Sequence, residues 1–155
     1  MMQPEFVKLD SFNIVGILYF GKNENDEISG MWQRHAHKVQ SLPQAQQQGQ
    51  TYGFCFQNED YLEHGLFYYM IAVEVADLHS NIIPMQMAGK TVPAHEYAVF
   101  RHQGGPSRLG ETYQFIEGEW LPKQKFKRND AFDFELYREI DGAQHLDIYL
   151  PILRD

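Results

Sequence analysis

The sequence predicts an α+β fold of duplicated βαββ units with pseudo-two-fold symmetry, helices outside, and a ligand groove between the repeats. Three observations carry this. Short runs such as "FDFELY" and "DIYLPI" alternate apolar and polar residues with the two-residue period of a half-buried strand. Two longer runs recur at three and four residues, the helical period. The landmarks then repeat: helices start near 28 and 106, and the strands "TYGFCFQ" and "FDFELYR" lie about 80 residues apart.

The elements follow in order. "EFVKLDSFNIVGILYFG" is rich in β-branched and aromatic residues and reads as extended chain ending at Gly21. After the polar "KNENDE", a helical stripe of Ile28, Met31, Trp32, His35, Val39 and Leu42 runs up to Pro43, which stops it. "PQAQQQGQ" is a loop. "TYGFCFQ" and "GLFYYMIAVEV" are strands, parted by the polar "NEDYLEH". "PMQMAGKTVPAHEYAVFRHQGG" is extended and turn-rich. Pro106 then opens a second helix whose stripe is Leu109, Tyr113, Ile116 and Trp120. Two strands close the chain. The expected organisation is one domain over residues 1–155, with repeat one at about 4–76 and repeat two at about 86–152.

Composition narrows the function. The chain has 155 residues, 43% of them hydrophobic and 14% aromatic, enough to bury a core without staples. Its 13 Lys and Arg against 21 Asp and Glu give a net charge of −8, a poor basis for binding phosphate backbones, so no direct nucleic-acid partner is expected. One cysteine, Cys55, excludes an internal disulfide. With no signal-like leader and no long apolar run, a soluble cytoplasmic protein without a membrane partner is expected.

Other chemistries lack support. "HAH" at 35–37 puts its two histidines on different sides of a helix, so no metal site is expected. Nothing in the sequence orders a base beside Cys55. "HQGGP" at 102–106 lacks the Lys and Ser/Thr of a phosphate loop, so no cofactor is expected. The basic run Lys123, Lys125, Lys127 and Arg128 reads as a solvated loop.

Side-chain alternation suggests where the groove lies. If Phe134 and Leu136 face the second helix, Glu135 and Tyr137 face the groove. On "GLFYYMIAVEV" the groove set is Tyr68, Met70, Ala72 and Glu74, and on the last strand Tyr149 joins it. The wall so formed is aromatic with two carboxylates, Glu74 and Glu135, the lining of a small-ligand pocket. Aromatic faces attract cations and a lone buried carboxylate needs a counter-charge, so the expected partner is a lipophilic, cationic organic molecule.

These residues also carry a resemblance. "YAVFRHQGGPSRLGETYQFIEGEWLP", "FDFELY" and "DIYLPI", with "GMWQRH" at 30–35 and "FYYMIAVEV" at 67–75, resemble the GyrI-like family, the bacterial effector-binding domain, from residue 4 to residue 152. The resemblance implies paired βαββ repeats around a groove that senses small molecules, as in AraC-type and MerR-type regulators. It places the pocket glutamate at Glu135 and pocket aromatics at Trp32 and Tyr149. Because the pattern starts at residue 4, no helix-turn-helix is expected before it, so a stand-alone binding module without a DNA-binding domain is favoured. A protein partner or a homodimer through an exposed edge strand stays open. Two further roles come with the family: a hydrolase using Glu135 as general base, and a gyrase-inhibitor-like interaction module.

Overall fold

A computed structural model describes residues 2–57, 59–79 and 83–154. Its elements are β1 (Glu5–Leu9), β2 (Phe12–Gly21), α1 (Glu27–Gln40), β3 (Gln50–Phe56), α2 (Glu59–His64), β4 (Phe67–Val75), β5 (Ala88–Val92), β6 (His95–His102), α3 (Leu109–Phe115), β7 (Lys127–Arg128), β8 (Phe132–Ile140) and β9 (Ala143–Leu153). Helix α3 is entered through a 3₁₀ turn at Pro106–Arg108 and prolonged by a π turn, Ile116–Trp120, and a 3₁₀ turn, Leu121–Lys123.

The described strands form one antiparallel sheet in the order β1-β6-β9-β8-β3-β4-β2-β5, with β7 attached to β9. This order is a palindrome about the β3–β8 seam. Phe54 pairs with Phe134 there, their rings stacked at 4.5 Å. Moving outward, Met70 beside Phe54 corresponds to Tyr149 beside Phe134, and Leu18 beside Met70 to Val99 beside Tyr149. The repeats also exchange their first strands. Val7 on β1 pairs with Tyr97 of the second repeat, as Ala88 on β5 pairs with Gly16 of the first. The fold is therefore α+β, two βαββ repeats about a pseudo-two-fold, each preceded by the strand it exchanges.

The sheet curls. Three strand spacings separate β2 from β8, about 14 Å on a flat sheet, yet the rings of Phe12 and Phe134 lie 6.1 Å apart. The concave face holds an aromatic core of Tyr52, Phe54, Tyr97, Phe132, Phe134 and Leu136, reached by Met70 from β4. Both long helices lie on the other face. Helix α1 seats Met31 and Val39 on Tyr69, Ile71, Val73 and Val75. The α3 segment seats Ile116 and Trp120 on Phe100, Ile148 and Leu150.

Two local readings change. The N-terminal stretch is two strands, because the exposed Asp10–Ser11 turn sends β1 to the far half of the sheet. Within "NEDYLEH", treated as a polar connector, lies the short helix α2.

The phase of β8 is the main correction. Phe134 and Leu136 do not face the second helix; they belong to the concave aromatic core. Glu135 and Tyr137 point to the side that carries both helices, where Tyr113 of α3 reaches Glu135. The groove thus lies between the helices rather than on the sheet face they leave bare. Register explains the difference: Met70 opposes Phe54 and Phe54 opposes Phe134, so these three share one face.

Candidate functional site

Between α1 and α3 the seam strands form the floor of a cleft of about 740 Å³. Helix α1 supplies Trp32 to one wall, and the turn into α3 supplies Pro106 and Leu109 to the other. Helix α1 is fixed at its start by hydrogen bonds to the preceding turn. Asn23 Oδ1 accepts from the Ile28 N–H at 3.0 Å, and Glu27 accepts from the Asn25 N–H at 2.7 Å.

Two carboxylates line the cleft, Asp26 at the start of α1 and Glu135 on β8. Glu135 Oε1 accepts the Tyr137 hydroxyl at 2.8 Å, and Oε2 accepts the Tyr113 hydroxyl at 2.8 Å. Burial pushes the Glu135 carboxyl above the usual carboxylate range, while these two phenols oppose the shift. Among the described residues no lysine or arginine forms an ion pair with it. The neighbouring Asp133 differs: Arg128 holds it at 2.8 Å. Arg128 is also paired with Glu117, so its charge is already committed.

An aromatic wall stands beside Glu135. The Trp32 and Tyr137 rings lie 4.7 Å apart, and the Trp32 indole N–H donates to the Tyr69 hydroxyl at 3.0 Å. Burial and the Glu135 charge raise the Tyr69, Tyr113 and Tyr137 hydroxyls well above their ordinary range, so all three stay protonated. Gly53, opposite Glu135 in register, leaves room for this pair, because a Cβ there would lie 2.2 Å from the Tyr69 hydroxyl.

Of the residues singled out in the sequence, Glu135, Trp32 and Tyr137 come together in this cleft. Tyr68, Met70, Glu74 and Tyr149 do not; the β4 and β9 registers put them on the concave side. Met70 is 2% exposed within the core, and Tyr68 packs on Phe20 at 4.6 Å. Glu74 and Tyr149 line a separate cavity of about 250 Å³. Tyr69, which lines the helix-face cleft, and Tyr113, which donates to Glu135, are not among the site residues read from the sequence. By alternation Tyr69 falls opposite the Tyr68, Met70 and Glu74 set on β4, and Tyr113 belongs to the α3 stripe. These positions put them on the helix side, which is where the cleft lies.

Residues 5–152 match the family described as Cass2, integron-associated effector binding protein. The chain belongs to this family. It is 29% identical over 156 residues to the transcriptional regulator BrlR of Pseudomonas aeruginosa, covering 97% of this chain but 56% of that protein. The chain thus spans little more than half the length of that relative. Among solved structures, SAV2435 bound to tetraphenylphosphonium is similar at TM-score 0.77 and 24% identity, covering 98% of this chain and 94% of that one. The integron cassette protein VCH_CASS2 of Vibrio cholerae is similar at TM-score 0.68 and 15% identity, covering 98% and 97%. The EcmrR C-terminal domain is similar at TM-score 0.69 and 13% identity, covering 100% and 99%. At these identities the structural likenesses establish the fold. Family membership adds an effector-binding role, and no described helix is long and apolar enough to cross a membrane.

Proposed function

We propose that the cleft between α1 and α3 binds a lipophilic organic cation, with Glu135 as its counter-charge. One observation carries the reading: Glu135 is a buried carboxylate that accepts two phenols and, among the described residues, forms no ion pair with a lysine or arginine. Two phenols disperse the charge without neutralising it, and leaving it in a low dielectric costs several kcal/mol. A delocalised cation brings that missing charge. The rings of Trp32 and Tyr137 add roughly 0.5–2 kcal/mol each where they present their faces. The volume suits a drug-sized molecule, and the ligand of SAV2435, tetraphenylphosphonium, is of this kind. The effector-binding description of the family and the regulator BrlR support a role in sensing such molecules for transcriptional control.

Glu135 as the general base of a hydrolase is the weaker reading. Its raised affinity for protons suits a base, but each of its oxygens is already engaged by a donor.

A thermal-shift titration with tetraphenylphosphonium and with neutral triphenylphosphine oxide tests the proposal. Stabilisation by the cation alone is expected. Equal stabilisation by both compounds would reduce the cleft to a hydrophobic pocket and remove the counter-charge role.

A further inference from the structure

The concave face of the sheet carries a second acidic, aromatic cavity, away from the helices. Phe12, Tyr52, Phe134 and Tyr149 form its walls, Glu74 stands among them, and Leu9, Asp10 and Ser11 complete the lining. The rings are mutually packed: Phe12 and Tyr52 lie 5.7 Å apart, Tyr52 and Phe134 5.5 Å, Phe134 and Tyr149 4.6 Å.

The polar groups here match poorly. Among the described residues the Glu74 carboxylate accepts one long hydrogen bond, from the Tyr52 hydroxyl at 3.3 Å. Among the described residues it has no ion pair. Lys90, which shares its row through Ile14, places its ammonium over the Phe56 ring at 4.8 Å instead. Asp10 in the turn adds a second carboxylate to the lining. Behind the wall stands Tyr97, its ring 5.3 Å from Phe134 and 5.7 Å from Tyr149. Tyr97 is fully buried, and its hydroxyl has no partner among the described residues.

We propose that this cavity is a second ligand site, for a small organic ammonium ion, independent of the helix-face cleft. Three features select that chemistry. Acidic side chains in the lining draw a cation and repel anions. Aromatic faces on several sides suit an alkylammonium. The volume of about 250 Å³ admits a head group of a few carbons and is too small for a tetra-aryl cation. The sheet itself separates the two sites. Along β8, Phe134 and Leu136 line this cavity while Glu135 and Tyr137 line the cleft, so no ligand touches both.

Calorimetric titration of the full chain with choline tests the proposal, with 3,3-dimethyl-1-butanol as the neutral isostere. Choline is expected to bind the wild-type protein, Glu135→Gln, and protein already saturated with tetraphenylphosphonium with similar affinity. Glu74→Gln is expected to weaken choline about tenfold or more while leaving tetraphenylphosphonium affinity unchanged. The neutral isostere is expected to bind about tenfold more weakly than choline. Tyr149→Leu provides an independent variant with the same expected loss, should Glu74→Gln unfold. Absence of choline binding, competition with tetraphenylphosphonium, or indifference to both variants would overturn the second site. Failure of the helix-face reading shows separately, as tetraphenylphosphonium binding that ignores Glu135→Gln.

Discussion

Replacing Glu135 by Gln removes one charge and keeps the shape. The two phenols can stay hydrogen-bonded, since Tyr113 or Tyr137 can donate to the amide oxygen and the other accept from its NH₂. A cation centred about 5–6 Å from the carboxylate gains roughly 3 kcal/mol at an effective dielectric of 20. Part of that gain is offset by desolvating the ligand, so a net loss of about 1.5–3 kcal/mol is expected, roughly 10- to 100-fold in affinity. Calorimetric titration of tetraphenylphosphonium against wild type and variant measures it, and triphenylphosphine oxide should change by less than about threefold. Equal losses for cation and neutral compound would refute the reasoning.

The proton on Glu135 sharpens this test. Burial raises its affinity for protons, so cation binding competes with a proton over a pH window lying above that of an ordinary carboxylate. Affinity should fall as pH drops through that window, with proton release on binding, and both effects should vanish in Glu135→Gln. The stability sign follows from the same shift. A carboxyl held above its unfolded value binds more protons when folded, so its contribution is fully present below the unfolded pKa. That contribution is lost as pH rises through the folded pKa. Glu135→Gln should therefore melt at or above the wild-type temperature near pH 7.5, and the difference should close towards pH 4. Each kcal/mol corresponds to about 2–4 °C for a chain of this size.

Three further outcomes can be checked. Gly53→Ala should destabilise by about 1–3 kcal/mol and weaken cation binding, because the added Cβ forces Tyr69 off Trp32; chemical denaturation and titration report the two effects. Asp147, 2% exposed between Arg101 and Arg138, should cost about 3–5 kcal/mol when changed to Ala, measured by the denaturation midpoint. Burial pushes the Cys55 thiol up to about 12, so a thiol reagent at pH 8 should label it only as the protein unfolds.

The repeat was legible because periodicity survives divergence. The alternation in "FDFELY" and the three-and-four spacing of Ile28, Met31, Trp32 and Val39 each report a single element, and their recurrence reports the duplication. The choice of face was not legible. On β4 the apolar set of Tyr69, Ile71 and Val73 does meet a helix. On β8 the apolar set of Phe132, Phe134 and Leu136 does not, because curling gives the sheet a second core. Alternation states that two faces differ without stating which one the helix covers. Cross-strand register decides that, and the long-range Phe54–Phe134 pairing leaves no local mark in the sequence. One wall inferred for a single groove is therefore divided between two faces.

The site lies where the symmetry fails. About the pseudo-two-fold centred on the Phe54–Phe134 pair, Cys55 occupies the place of Glu135. On one side of the seam a thiol packs against apolar neighbours and asks for no partner. On the other a carboxylate is set among phenols, where an apolar residue would have been the stable choice. Equivalent backbone positions differ here by an ionisable group, and the buried Tyr113 hydroxyl of α3 is satisfied by it at 2.8 Å. Under the proposed function, the charge at Glu135 is the one that a bound cation completes. The symmetric half thus serves as an internal control, and Glu135→Cys would restore the symmetry: the fold should persist while cation binding is lost. Persistent, charge-selective binding in that variant would mean that the counter-charge lies elsewhere.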